Sequence, residues 1–260
     1  MAVKSLSILP VGHCGVANWM LDTRLHGTEA GKTIVELPVW VYLIETTDGP
    51  ILIDSGMPDE CIDRPDLLAD PDHREQAPEI VPQMAAGDSV LSALARANLG
   101  PSDLLCVVST HWHFDHAGGN RHFPTTKVVV QRAEYEAFFS LPAKEQAEAF
   151  WIAPNLQYDL VDGDVELVPG VRLISTPGHS PGHQSVLVRT PQSGSILLTI
   201  DAAYTQANFE ENVPFTVADE AKKQVSIQKL KDLAKDEHAF VFYGHDTVQA
   251  KSVRPFPAHY

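Results

Sequence analysis

Cysteine is scarce in this chain: Cys14, Cys61 and Cys106 are the three in 260 residues. An odd, widely spaced trio does not make a disulfide framework, and none has the Cys-x-x-Cys spacing of a structural zinc site. Reduced thiols in a cytoplasmic protein are the expectation. Positive charge is also in short supply. Nineteen lysines and arginines face 34 aspartates and glutamates, for a formal net charge of −15. No basic cluster offsets that excess, which argues against nucleic acid as a partner. No window approaches the roughly eighteen consecutive apolar residues of a membrane span. The first ten residues are too few and too polar for a secretory signal. Membrane partners are therefore not expected either. The remainder, 44% apolar and 20% charged, is ordinary for a soluble globular protein, here read as one domain over 1–260.

Histidine, by contrast, is plentiful, with twelve residues. Three of them fall in the run Thr110-His111-Trp112-His113-Phe114-Asp115-His116-Ala117-Gly118-Gly119-Asn120. Neutral imidazole and ionised carboxylate are the ligands that a borderline cation such as zinc prefers. The one-residue gap between His111 and His113 lets two imidazoles converge on one ion from a loop. Asp115 and His116 then face a second position nearby. Four such ligands exceed what one open catalytic metal needs, so the run itself implies two metals. His179, Asp201 and His245 are further candidates.

Short β-like runs rich in Val, Ile and Leu recur at 5–9, 39–45, 51–54, 104–109, 127–131, 165–167, 171–175, 184–189, 195–200 and 239–243. Asp48-Gly49-Pro50 and Pro191-Gln192-Ser193-Gly194 read as hairpin turns. Helical patterns cover 89–98, 131–141, 144–151 and 219–235, the last with Asp219 as N-cap. Residues 57–87 have weak periodicity and read as a long surface excursion. The order predicts an α/β fold: an αβ/βα sandwich of two mixed β-sheets with helices on the outer faces. The candidate ligands all follow strands, so four strand ends would meet at one edge, where loops carry chemistry on a rigid scaffold.

Strand-end His-x-His-x-Asp-His, then Thr176-Pro177-Gly178-His179, then Asp201 after an apolar strand, then Gly244-His245, resembles the metallo-β-lactamase superfamily. Within it the chain is similar to the N-acyl homoserine lactonases, the dinuclear quorum-quenching enzymes. Leu37-Pro38-Val39-Trp40, Ile53-Asp54-Ser55-Gly56-Met57-Pro58 and Asp201-Ala202-Ala203-Tyr204 carry that narrower match. The resemblance implies that His111, His113 and His179 hold one divalent metal and Asp115, His116 and His245 the other. Asp201 and a hydroxide would bridge them. Zinc is the default ion, with iron, cobalt or manganese also suited to such N/O sites. Asp54 would orient a ligand histidine through its ring N–H.

The implied substrate is an acyl homoserine lactone. Asp115 would carry the proton from nucleophile to leaving alkoxide, and Tyr204 would donate a hydrogen bond to the carbonyl oxygen. Phe114 and Met20 would line the acyl groove, with Trp19 and Trp40 as further wall candidates and chain-length preference placed in 17–31. The plain alternatives are core packing for Tyr204 and Trp40 and turn hydrogen bonds for Asp54. His183 is read as packing or bonding locally, and His13, His26 and His122 as unrelated to the metals. Gly118 and Gly119 are read as permitting close backbone approach beneath them. The rival function is a thioesterase of glyoxalase II type; against it, only residues 246–260 follow His245, too few for a helical second domain. Monomer and homodimer both remain open.

Overall fold

The computed structural model describes residues 2–68 and 80–260. Seven strands form the larger sheet: β1 (Val3–Ala17), β2 (Ile34–Thr46), β3 (Ile51–Ile53), β4 (Ile80–Gln83), β5 (Cys106–Val108), β6 (Lys127–Gln131) and β7 (Gln157–Val161). Their spatial order is β4-β1-β2-β3-β5-β6-β7. β1, β2, β3 and β4 pair antiparallel with their neighbours, and β3, β5, β6 and β7 pair parallel. The second sheet holds β8 (Val165–Val168), β9 (Val171–Ser175), β10 (Gln184–Thr190), β11 (Gly194–Leu198) and β12 (Phe240–Phe242), in the order β12-β11-β10-β9-β8. Only its β11–β12 pair is parallel. The helices are α1 (Glu60–Asp63), α2 (Val90–Arg96), α3 (Phe114–Ala117), α4 (Arg132–Phe139), α5 (Ala143–Glu148), α6 (Gln206–Glu210) and α7 (Glu220–Asp236).

Strand parity explains the layering. In β2, Tyr42 and Ile44 face the core between the sheets, while Val39, Val41 and Leu43 face the other way. In β10, Val186 and Val188 point inward and Leu187 outward. Because side chains alternate, a strand apolar at successive positions must be covered on both faces. Val90, Ala93 and Leu94 of α2 help cover the larger sheet, and Ile227 and Leu230 of α7 the smaller one. The result is the expected sandwich of two mixed sheets with helices outside. Asp219 caps α7, its carboxylate accepting from the Lys222 N–H at 3.0 Å. No helix among the described residues is long and apolar enough to cross a membrane.

Some elements differ from expectation. β1 runs on past residue 9, through Pro10 and Gly12, with a shift of register between Pro10 and His13. β4 and β7 are edge strands that hydropathy did not mark. Of the excursion expected over 57–87, residues 69–79 lie outside the described residues; the flanks carry α1 and β4, which pairs with β1 from His13 to Val16.

Candidate metal centre

Four strand ends deliver the candidate ligands. β5 leads into His111, His113, Asp115 and His116; β9 leads to His179, β11 to Asp201 and β12 to His245. The structure brings all seven together as two groups, His111–His113–His179–Asp201 and Asp115–His116–His245. Within each group one ligand atom per residue lies within 4.8 Å of the others.

In the first group the Nε2 atoms of His111 and His179 lie 3.1 and 2.8 Å from Nδ1 of His113. Asp201 Oδ2 is 3.2 Å from His179 Nε2 and 3.7 Å from His111 Nε2. Its other oxygen, Oδ1, turns to the second group, 3.3 Å from His116 Nε2 and 3.1 Å from His245 Nε2. Asp115 Oδ2 stands 3.6 Å from each of those two nitrogens. His116 Nε2 and Asp201 Oδ1 are buried without a hydrogen-bond partner. Buried polar atoms are nearly always paired, so these two call for a partner that a cation supplies. The donor set fits divalent cations bound by nitrogen and oxygen.

The far ring nitrogens fix the tautomers. His116 Nδ1–H donates to Asp54 Oδ2 at 2.8 Å, and His245 Nδ1–H to the Pro38 carbonyl at 2.8 Å. His111 Nδ1–H donates to Thr110 Oγ1 at 3.2 Å, and that hydroxyl donates on to Asp54 Oδ2 at 2.8 Å. The Nε2 atoms of these three histidines therefore aim at the two groups. Burial, together with the neighbouring His116 and His113, holds the His111 imidazole well below its ordinary 6.5 and hence neutral. At His116 burial opposes charge, but the carboxylates of Asp201, Asp115 and Asp54 outweigh it and raise the imidazole well above 6.5.

Asp54 follows β3 with φ +61°, fully buried. Its Oδ1 also accepts from the Thr110 N–H at 2.8 Å. The adjoining turn lies against the Gly118-Gly119 pair: a Cβ on Gly118 would meet the Pro58 nitrogen at 2.3 Å. That crowding excludes any side chain and bears out the reading of close backbone approach.

Two supporting residues were not legible as such. His183 does bond locally, its Nδ1 2.9 Å from Thr176 Oγ1, but its Nε2 also accepts from the Asp201 N–H at 3.1 Å. Burial drives His183 well below 6.5, which leaves that nitrogen free to accept. Glu134 is buried on α4 and accepts three hydrogen bonds from the loops that carry ligands. A lone glutamate in a helical pattern carries no sign of this in sequence.

A groove of about 450 Å³ opens over the centre, with His113, Asp115, His179, Asp201, Tyr204 and His245 at its floor. Met20 and Phe114 line its apolar wall as expected, joined by Val16, Leu21, Ile80 and Trp151. Trp19 and Trp40 do not line it. Trp40 has the parity of Tyr42 and packs against the core between the sheets, whereas Leu37, of opposite parity, reaches the groove. Trp19 packs edge-on against His26, 4.8 Å between ring centroids. The Tyr204 ring packs on Phe215 at 4.7 Å. Burial and the Asp201 and Asp115 carboxylates raise its phenol well above 10, so it keeps its proton. His122 pairs with Asp59, and neither it nor His13 nor His26 belongs to either ligand group.

Residues 34–245 match the family model of the metallo-beta-lactamase superfamily. The chain is 45% identical to the N-acyl homoserine lactonase AiiA of Bacillus thuringiensis subsp. kurstaki, covering 100% of both chains. It is 32% identical to the N-acyl homoserine lactonase AttM of Azorhizobium caulinodans, over 86% of this chain and 88% of that one. Among solved structures, an N-acyl homoserine lactone hydrolase with the product N-hexanoyl-L-homoserine at its catalytic metal centre superposes with a TM-score of 0.90, at 42% identity and full coverage of both chains. A variant of B. thuringiensis AiiA with N-decanoyl-L-homoserine in its active site gives 0.91, also at 42% identity and full coverage. Fold, ligand geometry and sequence agree that this chain belongs to the metallo-beta-lactamase superfamily.

Proposed function

We propose that this protein hydrolyses N-acyl homoserine lactones, opening the ring to the N-acyl homoserine. One observation carries the reading: Asp201 divides its two oxygens between two ligand groups at the floor of an apolar groove. Full-length similarity to enzymes named for that activity supports it. In this reading His111, His113 and His179 hold one divalent cation, Asp115, His116 and His245 a second, and Asp201 serves both. Zinc is the first choice, and iron, cobalt and manganese suit the same donors. Such a pair, when bound, lowers the pKa of water and polarises an ester carbonyl.

The chain's own side chains supply the rest. Water adds to the lactone carbonyl carbon, and the acyl C–O bond then breaks to release an alkoxide, which needs a proton. Asp115, partly exposed at the groove floor, takes a proton from the attacking water on a carboxylate oxygen and returns it to that alkoxide. Tyr204 donates its phenolic hydrogen to the carbonyl oxygen as negative charge develops there. Met20 and Phe114 receive the acyl chain on the apolar wall and exclude water from it. Asp54 holds His116 in the tautomer and orientation that a ligand needs.

Both sheets contribute ligands, which supports one functional domain over 1–260. All seven candidate ligands come from one chain, which supports a monomer and is compatible with a homodimer. Free, buried thiols support a cytoplasmic location; burial pushes Cys61 and Cys106 up to about 12. Net charge and groove chemistry support a small-molecule partner rather than nucleic acid or membrane.

Ring opening yields a carboxylic acid, so proton release tests the proposal directly. Metal-loaded protein should acidify a weakly buffered solution of acyl homoserine lactone, and a chelator should stop it. A thioester run in parallel should stay inert. Turnover of the thioester alone would replace the lactonase reading with a glyoxalase II type of activity.

A further inference from the structure

Glu134 stands on the first turn of α4, with 6% of its surface exposed. Its Oε1 accepts from the Trp112 N–H at 3.0 Å. Its Oε2 accepts from the Ser180 hydroxyl at 2.8 Å and from the Gly182 N–H at 2.7 Å. Trp112 lies between His111 and His113, and Ser180 follows His179. Each imidazole of the three-histidine group is therefore one residue from a donor to this carboxylate. The ligands of the other group are held differently: His116 by Asp54, and His245 by the Pro38 carbonyl.

Two further contacts press the same loops onto α4. A Cβ on Gly182 would lie 2.2 Å from the Glu134 nitrogen, so that loop meets the helix backbone to backbone. The Trp112 ring packs edge-on against Phe138 of α4, 5.3 Å between centroids. Two ligand loops from different sheets thus share one foundation, and Glu134 bonds to both, beside the Gln184 hydrogen bonds to the Thr110 and Ser109 carbonyls. Its charge is met by three neutral donors.

We propose that Glu134 is a positioning residue that sets the spacing of His111, His113 and His179, and acts on that half of the centre selectively. The inference rests on the reading that these imidazoles hold a cation. A glutamine at this position has one acceptor oxygen for donors on two sides. Whichever way its amide turns, an NH2 group confronts either the Trp112 N–H or the Gly182 N–H. The spacing between the loops must then relax, with little change in side-chain volume.

The test is cobalt(II) titration of metal-free protein, followed by visible absorption and by metal analysis. His113→Ala and His245→Ala serve as references for the two halves. Wild type should bind two equivalents. Glu134→Gln should weaken one of them by about ten- to hundredfold, the scale for partners of metal ligands. That equivalent should be the one missing in His113→Ala and kept in His245→Ala. Ser180→Ala, which removes one of the three donors, should shift the same equivalent in the same direction by less. Metal-free melting curves control for folding. Equal weakening of both equivalents, or a lower melting temperature with both affinities unchanged, would reduce Glu134 to general support and overturn the proposal. Wild type binding fewer than two equivalents would instead overturn the two-cation reading, and this inference with it.

Discussion

His116 Nδ1 lies 2.8 Å from Asp54 Oδ2, although 62 residues separate them in the chain. The same carboxylate accepts from the backbone and hydroxyl of Thr110, so it reaches His111 as well. It sits fully buried on a backbone with φ +61°, a conformation tolerated by Asp and Asn but not by most residues. Asp54→Asn keeps that backbone and the side-chain volume. Its single carbonyl oxygen cannot serve both His116 and the Thr110 N–H, which sit on different oxygens of the aspartate, and its NH2 group faces one of those two donors. We expect metal affinity to fall about ten- to hundredfold, read by competition with a chromophoric chelator. Wild-type affinity in this variant would leave Asp54 as a turn residue only.

Tyr204 lines the groove and belongs to neither ligand group, although its ring packs edge-on against His179 and His245 with centroids 5.5 and 5.6 Å apart. Its ring is held by Phe215, and a phenylalanine would pack in its place. Tyr204→Phe should retain full metal content and melting temperature. Losing one preorganised donor to a developing oxyanion costs up to about a hundred- to thousandfold; if, as proposed, bound metal shares that charge, a fall in kcat near the lower figure, about tenfold to a hundredfold, is expected here, with KM nearly unchanged. Unaltered kinetics would remove the phenol from the reaction.

The acyl wall can be probed at Met20. Its carbonyl accepts from the Thr216 N–H at 3.0 Å, so the backbone stays pinned when the side chain is cut. Met20→Ala exposes apolar chain to water at about 0.8 kcal/mol per methylene left uncovered. The KM for a decanoyl lactone should rise roughly fivefold or more, and that for a butanoyl lactone should hold. A parallel rise for both lengths would place Met20 away from the distal acyl chain.

Much of this site was legible because its ligands are concentrated at strand ends. Val, Ile and Leu runs bounded by turn residues marked β5, β9, β11 and β12, and each is followed by a histidine or aspartate. β4 and β7 escaped notice for a physical reason. They are edge strands with one half-exposed side, Pro82 interrupts the first, and Gln157 and Asp159 dilute the second. Residue type alone leaves Trp40 between the groove and the core; strand parity, anchored by Tyr42 and Val41, turns it to the core between the sheets. Glu134 lay beyond sequence reasoning. Its partners are 22, 46 and 48 residues away, and only tertiary packing brings the two loops to one helix turn.

The ion pair of Arg189 and Glu237 offers a pH test away from the metals. Arg189 on β10 donates Nε to Glu237 Oε2 at 2.9 Å and Nη2 to Oε1, and Ser195 on β11 adds a hydroxyl at 3.3 Å. Glu237 closes the C-terminus of α7, so the pair ties that helix to the smaller sheet. The hydrogen bonds from Arg189 hold its carboxyl below the ordinary 4.5. A carboxyl whose folded value is depressed stabilises the fold fully above its unfolded value, and that contribution fades as pH falls through the folded one. Arg189 is 38% exposed and Glu237 20%, so solvent screening limits the effect. Glu237→Gln should cost about 0.5–1 kcal/mol near pH 7, measured by urea unfolding of the metal-free protein. As pH falls through that depressed value wild-type Glu237 gains a proton, and the two unfolding curves should converge. Because the metal ligands titrate identically in both proteins, their protonation cancels from the difference. A gap that survives undiminished at low pH would assign the loss to shape and hydrogen-bond geometry rather than to charge.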